Sequence, residues 1–83
     1  MAFLYILQSE TTGHFYIGST SELERRVAEH FRGHCLATRN RGPWQLVHQE
    51  SFDTLLEARR RELKIKRWKS ANMIRALVES SVG

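Results

Sequence analysis

Residues 2 to 8, AFLYILQ, form a nearly unbroken apolar and aromatic run, the pattern of a central strand covered on both faces. The polar segment SETTG follows, and then HFYIGS at 14 to 19. Two β-rich runs so close together predict a hairpin. Ser21 followed by Glu24 reads as a capping box, and Leu23, Val27 and Phe31 then recur every four residues until Gly33, which predicts a first helix over about 22 to 32. Residues 34 to 43 hold Thr, Asn, Gly, Pro and two Arg with no period, the mark of a basic loop. Trp44 to Phe52, opened by Pro43, reads as a third strand, since proline is tolerated at a strand start. Asp53 is placed to cap a second helix reaching about Lys69. Ser70 is placed to cap a third, whose apolar face is Met73, Ile74, Leu77 and Val78. The order is ββαβαα. The class is therefore α/β of the α+β kind, with a small three-stranded, mainly antiparallel sheet flanked by helices. No repeat, linker or low-complexity tract interrupts residues 1 to 83, which read as one domain.

Composition narrows where a site can lie. A chain of 83 residues buries only about 60% of the surface its unfolded form exposes, so a large internal cavity or a wrapped cofactor is not expected. With 41% hydrophobic and 27% charged residues, the chain is close to the globular average. No window approaches the ~20 apolar residues of a membrane span. Met1 to Leu7 is apolar but has no basic segment before it and no small-residue cleavage site after it, which argues against a secretory signal. The single cysteine, Cys35, forms no internal disulfide. A cytoplasmic protein is the expectation.

The net charge of +4 is unevenly spread. Residues 1 to 42 carry five basic and four acidic side chains, residues 43 to 83 eight and five. Most of the excess lies in RRRELKIKRWK, Arg59 to Lys69, where seven basic residues accompany one acid, Glu62. A stripe of this kind suits phosphate, although basic runs are also common on solvated helix faces.

Several polar residues break the apolar pattern. At 100° per residue the second helix spreads Leu55, Leu56, Ala58, Leu63, Ile65 and Trp68 over one broad face, and Glu62 falls near its middle. A core-facing carboxylate costs several kcal/mol unless it meets a cation, several donors or a metal ion. On the first helix Arg26 and His30 are i and i+4, bordering the stripe of Leu23, Val27 and Phe31. Tyr5 and Tyr16 sit on opposite arms of the hairpin. A turn centred on Glu10 and Thr11 sets them directly opposite, and one centred a residue later makes them diagonal neighbours on the same face. Each has an ordinary explanation: an ion pair between Glu62 and an Arg, a backbone-bonded His30, an Arg26 stem reaching solvent, two packed aromatics. Together they predict two phenols, an Arg, a His and a Glu converging on one sheet face beside a basic surface. That set suits hydrolysis of a phosphodiester, which calls for a cation toward nonbridging oxygens, a base for water and often a metal.

These residues carry a resemblance to the GIY-YIG nuclease superfamily, whose members include homing endonucleases, the nuclease module of bacterial excision repair, structure-specific resolvases and small stand-alone bacterial proteins. The chain looks most like the last group. The match runs through FLYILQS with Tyr5, YIGST with Tyr16, ERRVAEH with Arg26 and His30, RGPWQLV, and EARRRELKIK with Glu62. The spacings from Tyr5 to Tyr16 and from Tyr16 to Arg26 follow the family pattern. Phe3 and Leu4 stand where the first motif spells Gly and Ile, at positions that are structural.

The resemblance implies a metal-dependent endonuclease acting on DNA, branched or damaged DNA included, in repair or recombination. Glu62 would bind one divalent cation, Mg²⁺ or Mn²⁺. Arg26 would stabilise the pentacovalent phosphate, Tyr16 or Tyr5 would act as general base toward water, and His30 would hold the tyrosine hydroxyl or help move its proton. A free phenol has a pKa of ~10, so the base needs a positive neighbourhood. Asn72 is a loose candidate for an asparagine that some members use. Arg25, Arg39, Arg41, Arg59, Lys66 and Lys69 are the candidate DNA contacts. Larger members carry separate DNA-binding domains, so targeting is expected to come from this basic surface, a protein partner or a homodimer. The competing readings are a noncatalytic nucleic-acid-binding module and a protein-interaction adaptor. His30, His34 and Cys35 fall short of a structural zinc site, having no fourth ligand, and nothing marks Cys35 as a nucleophile. No glycine-rich motif surrounds Gly18 to make a phosphate loop. Trp44 and Trp68 read as core anchors, with stacking on unpaired bases the alternative.

Overall fold

The computed structural model describes residues 1–32 and 43–80, and within them the elements follow the expected order. They are β1 (Ala2–Ser9), β2 (Phe15–Thr20), α1 (Leu23–Phe31), β3 (Trp44–Phe52), α2 (Leu55–Arg67) and α3 (Ala71–Ser80). The sheet order is β2-β1-β3, both pairings antiparallel. The unbroken apolar run is thus the central strand, and Leu4, Tyr5, Ile6 and Leu7 are each 0–1% exposed.

Strand alternation divides the core in two. On one face Leu4, Ile6 and Ile17 pack with Ile65 of α2, and Ile74, Leu77 and Val78 of α3 close over them. On the other, Tyr5, Leu7 and Trp44 gather with Tyr16, Leu46 and the Leu23 and Val27 stripe of α1. In β3 a register shift opposite Ile6 and Leu7 pairs His48 with Ile6 but Leu46 with Leu7. This bulge at Val47 sends Trp44 and Leu46 toward α1 while His48, Glu50 and Phe52 stay on the α2 side.

The hairpin takes the later of the two expected registers. Leu7 faces Tyr16 and Tyr5 faces Gly18, so the tyrosines are diagonal neighbours. The turn is built on Ser9, whose hydroxyl oxygen accepts from the Thr11 and Thr12 amides, with Gly13 at φ 77°.

The helix starts correct two expectations. Ser21 does not cap α1; the N-cap is Glu22, with no side-chain cap bond, and Thr20 Oγ1 accepts from the Glu22 amide instead. Asp53 does not cap α2. Thr54 does, its hydroxyl accepting from the Glu57 amide and donating to the Glu57 carboxylate, a side-chain N-cap. Ser70 caps α3 as expected, accepting from Met73, and Lys69 at φ 49° makes the joint before it. The apolar face of α2 is narrower than its sequence implies. Ala58 and Ile65 are buried, whereas Leu56 and Leu63 are 58% and 55% exposed. The gap between the buried positions is filled by Arg61 and Glu62.

Candidate active site

Tyr5, Tyr16 and His30 meet on the α1 face of the sheet. The Tyr5 hydroxyl lies 2.9 Å from His30 Nε2. Ring centroids are 5.7 Å apart for Tyr5 and His30, 4.7 Å for Tyr16 and His30, and 6.3 Å for the two tyrosines. His30 is bonded to a phenol and is 1% exposed. Tyr5 is equally buried, while Tyr16 is half-buried and reaches the surface.

Gly18 makes this packing possible. A Cβ at that position would stand 2.6 Å from both Cζ and Oη of Tyr5, closer than any nonbonded carbon contact allows. The glycine of YIGST serves the phenol lying across the strand pair, not a phosphate loop.

Arg26 lies one turn before His30 on α1, its guanidinium 3.2 Å from Glu29. Burial, and after it the Arg26 charge, hold the His30 imidazole below the ordinary histidine range, with Glu29 opposing. The ring is therefore neutral at physiological pH. In the tautomer protonated on Nδ1, its Nε2 accepts the Tyr5 hydroxyl proton.

Glu62 corrects the expectation of a single shared face. It lies on the opposite side of β2, where Ser19 Oγ donates to Oε1 at 2.5 Å; Ser19 shares the face of Ile17, not that of Tyr16. Its cation is Lys66 rather than an Arg, with Nζ 2.5 Å from Oε2. The tyrosine–histidine cluster and the carboxylate flank the edge strand from its two sides.

Arg61, which could have been that cation, is engaged elsewhere. Its Nε and Nη2 meet Glu50 Oε1 and Oε2 at 3.0 and 3.2 Å, and its guanidinium lies 5.7 Å from the Trp68 ring centroid. His48 Nε2 is 2.7 Å from Glu50 Oε2. Burial tends to raise the Glu50 carboxyl, but the hydrogen bonds and charges of His48 and Arg61 outweigh it and hold the group below its usual range. This His48–Glu50–Arg61 network ties β3 to α2. The network is not visible in the sequence, where only the adjacency of Arg61 and Glu62 hints at an ion pair.

The basic stripe divides in use. Arg61 and Lys66 are paired, while Arg59, Arg60, Lys64, Arg67 and Lys69 project from exposed positions. Arg25 is exposed and pairs with Glu22 and Glu29. Arg39, Arg41, His34 and Cys35 lie outside the described residues. Asn72 is exposed in the first turn of α3. Trp44 and the half-buried Trp68 both pack into the core.

Among the described residues no group of three or more His, Cys, Asp or Glu gathers to cage a metal. Glu62 with the Ser19 hydroxyl offers hard oxygen donors and a single carboxylate. Such a set fits Mg²⁺ or Mn²⁺, which keep several waters and share their shell with substrate phosphates. No described helix is long and apolar enough to cross a membrane.

Comparison with known proteins converges on one family. The model of the GIY-YIG catalytic domain matches residues 1–75. A UPF0213 protein of Halobacterium salinarum is 45% identical over 67 residues, covering 80% of this chain and 86% of that one. A UPF0213 protein of Staphylococcus saprophyticus is 35% identical over 78 residues, 93% of this chain and 94% of the relative. The solution NMR structure of a UPF0213 protein from Bacillus halodurans superposes with a TM-score of 0.59 at 34% identity, covering 95% of this chain and 84% of that one.

Proposed function

Because the chain belongs to the GIY-YIG catalytic domain family, we propose that it is a metal-dependent endonuclease that hydrolyses DNA phosphodiester bonds, in DNA repair or recombination. The observation that carries this reading is the Tyr5–His30–Tyr16 cluster beside Arg26. It sets the half-buried Tyr16 ring against a neutral imidazole next to a guanidinium. Tyr16 is the general base, since it reaches solvent where Tyr5 does not. Tyr5 fixes the His30 ring through its hydroxyl, and His30 in turn packs against Tyr16. Arg26 stands ready to exchange Glu29 for a phosphate oxygen. Glu62 holds the divalent cation, whose chemistry is to polarise the scissile phosphate and neutralise the leaving O3′. The exposed cations of α2 receive the DNA backbone, and with so small a net charge binding is weak and strongly salt-dependent.

The test is incubation of the purified protein with plasmid, single-stranded and branched DNA plus Mg²⁺ or Mn²⁺, beside a Glu62→Ala control. Divalent-dependent cleavage lost in the control supports the proposal. Cleavage that survives in the control removes Glu62 from the mechanism. A second reading, a noncatalytic nucleic-acid-binding module, draws on Glu62 being already satisfied by Lys66 and Ser19. Salt-dependent binding without cleavage of any substrate is its signature.

A further inference from the structure

Glu62 has both carboxylate oxygens engaged. Ser19 Oγ donates to Oε1 and Lys66 Nζ to Oε2, each at 2.5 Å. The two partners differ in how tightly they are held. Ser19 belongs to β2 and is fixed by the strand, whereas Lys66 sits one helical turn along on a flexible stem with its side chain 49% exposed. Glu62 itself is only 18% exposed, so a cation on this carboxylate relieves part of its desolvation. Lys66 can swing away on its flexible, half-exposed stem, and when it leaves Oε2 is a coordination site beside a hydroxyl already in place.

We propose that Lys66 is an exchangeable resident cation, holding Glu62 in the substrate-free protein and moving to a DNA phosphate oxygen when a divalent cation takes its place. This rests on the reading of Glu62 as the metal-binding carboxylate. The ammonium is a compact point charge, interchangeable in sign with a metal ion on Oε2 yet tethered within a turn of it. Glu62 therefore never stands as a bare half-buried anion. Free protein binds the metal weakly because Lys66 competes, and binding tightens once a phosphate gives Lys66 another partner. Metal and DNA thus reinforce one another.

The test begins with Mn²⁺ alone, titrated by electron paramagnetic resonance into the full chain without DNA. Loss of a partly exposed ion pair of this kind is worth a small factor, so Lys66→Gln is expected to bind Mn²⁺ roughly 1.4- to fivefold more tightly than wild type. Lys66→Arg, which keeps a paired cation, behaves as wild type. Lys64→Gln removes the same charge from an exposed position two residues away and leaves the affinity unchanged, separating competition at Oε2 from a general charge effect. In cleavage assays Lys66→Gln raises KM for DNA with kcat nearly preserved. A Lys66→Gln protein whose Mn²⁺ affinity equals that of wild type, or of Lys64→Gln, overturns the exchange while leaving Glu62 as the metal ligand. A Glu62→Gln protein that still binds Mn²⁺ like wild type instead overturns the assignment of Glu62, and the exchange with it. Thermal melts of each variant confirm that the fold is intact.

Discussion

Tyr5 lies across the strand pair from Gly18, with its phenol occupying the space that any side chain at position 18 would need. The ring has little room to retreat, because it is 1% exposed and hydrogen-bonded to His30. Gly18→Ala therefore overpacks the α1 face. The expected loss is about 1–3 kcal/mol, or a fall in Tm on the order of 5–20 °C for a domain of this size. Cleavage should fall with it, because the displaced phenol takes the His30 hydrogen bond along. Thermal denaturation and plasmid cleavage check the two halves, and an unshifted Tm would show that the ring moves aside freely.

The two tyrosines should separate in mutagenesis despite sharing one imidazole. Tyr5→Phe leaves the buried His30 Nε2 without its phenol partner, at a cost of about 1–3 kcal/mol. Tyr16→Phe removes a hydroxyl from a half-buried residue and tests activity more directly than stability. If Tyr16 is the general base, kcat falls on the order of 10²- to 10⁴-fold in that variant. Urea denaturation read beside single-turnover cleavage distinguishes them. A Tyr16→Phe protein with wild-type kcat would pass the role of base to Tyr5.

Much of this arrangement was legible in the amino-acid sequence, for physical reasons. The run from Ala2 to Leu7 reads as a strand buried on both faces, and Leu23 and Val27 mark the side of α1 that meets the sheet. Phe31, the third member of the expected stripe, is instead 54% exposed, and His30 takes the buried position beside it. Either hairpin register put Tyr5 and Tyr16 on one face, so that pairing survived uncertainty in the turn. Glu62 did not resolve in the same way. Helical angle alone placed it among six apolar residues, but exposed Leu56 and Leu63 show that the true buried stripe is narrower. Which sheet face that stripe covers depends on the path of the chain, not on its period. The bulge at Val47 is equally silent in sequence, yet it decides that His48 and Glu50 meet α2. Gly18 was visible as a residue but not as a need, since its reason stands on another strand.

The clamp between β3 and α2 should be measurable by itself. Arg61 holds Glu50 through two nitrogens and lies against Trp68, with both charged side chains about a quarter exposed. Arg61→Lys keeps the charge but loses the fork and the flat face. Allowing for solvent screening at this exposure, the expected cost is about 1 kcal/mol for Arg61→Lys and about 1–2 kcal/mol for Arg61→Met, which leaves Glu50 to His48 alone. Chemical denaturation provides the check. A wild-type midpoint for Arg61→Met would mean that the network contributes geometry without stability.

His30 is expected to make the fold sensitive to acid. Its imidazole is held below the ordinary value of 6.5, first by burial and then by Arg26, against the opposing charge of Glu29. The unfolded chain therefore takes up a proton at a pH where the folded chain still refuses it, and stability rises with pH wherever the unfolded state binds more protons. The contribution of His30 is fully present above pH 6.5 and is lost as pH falls through the lower folded value, with a slope of at most about 1.4 kcal/mol per pH unit for a single proton. Glu50 is also lowered, from 4.5, so its loss begins at more acid pH than that of His30. Urea midpoints taken between pH 7.5 and pH 5 should decline for wild type and decline less steeply for His30→Gln, which keeps a hydrogen-bonding side chain but cannot titrate. Parallel curves for the two proteins would assign the acid sensitivity to another group.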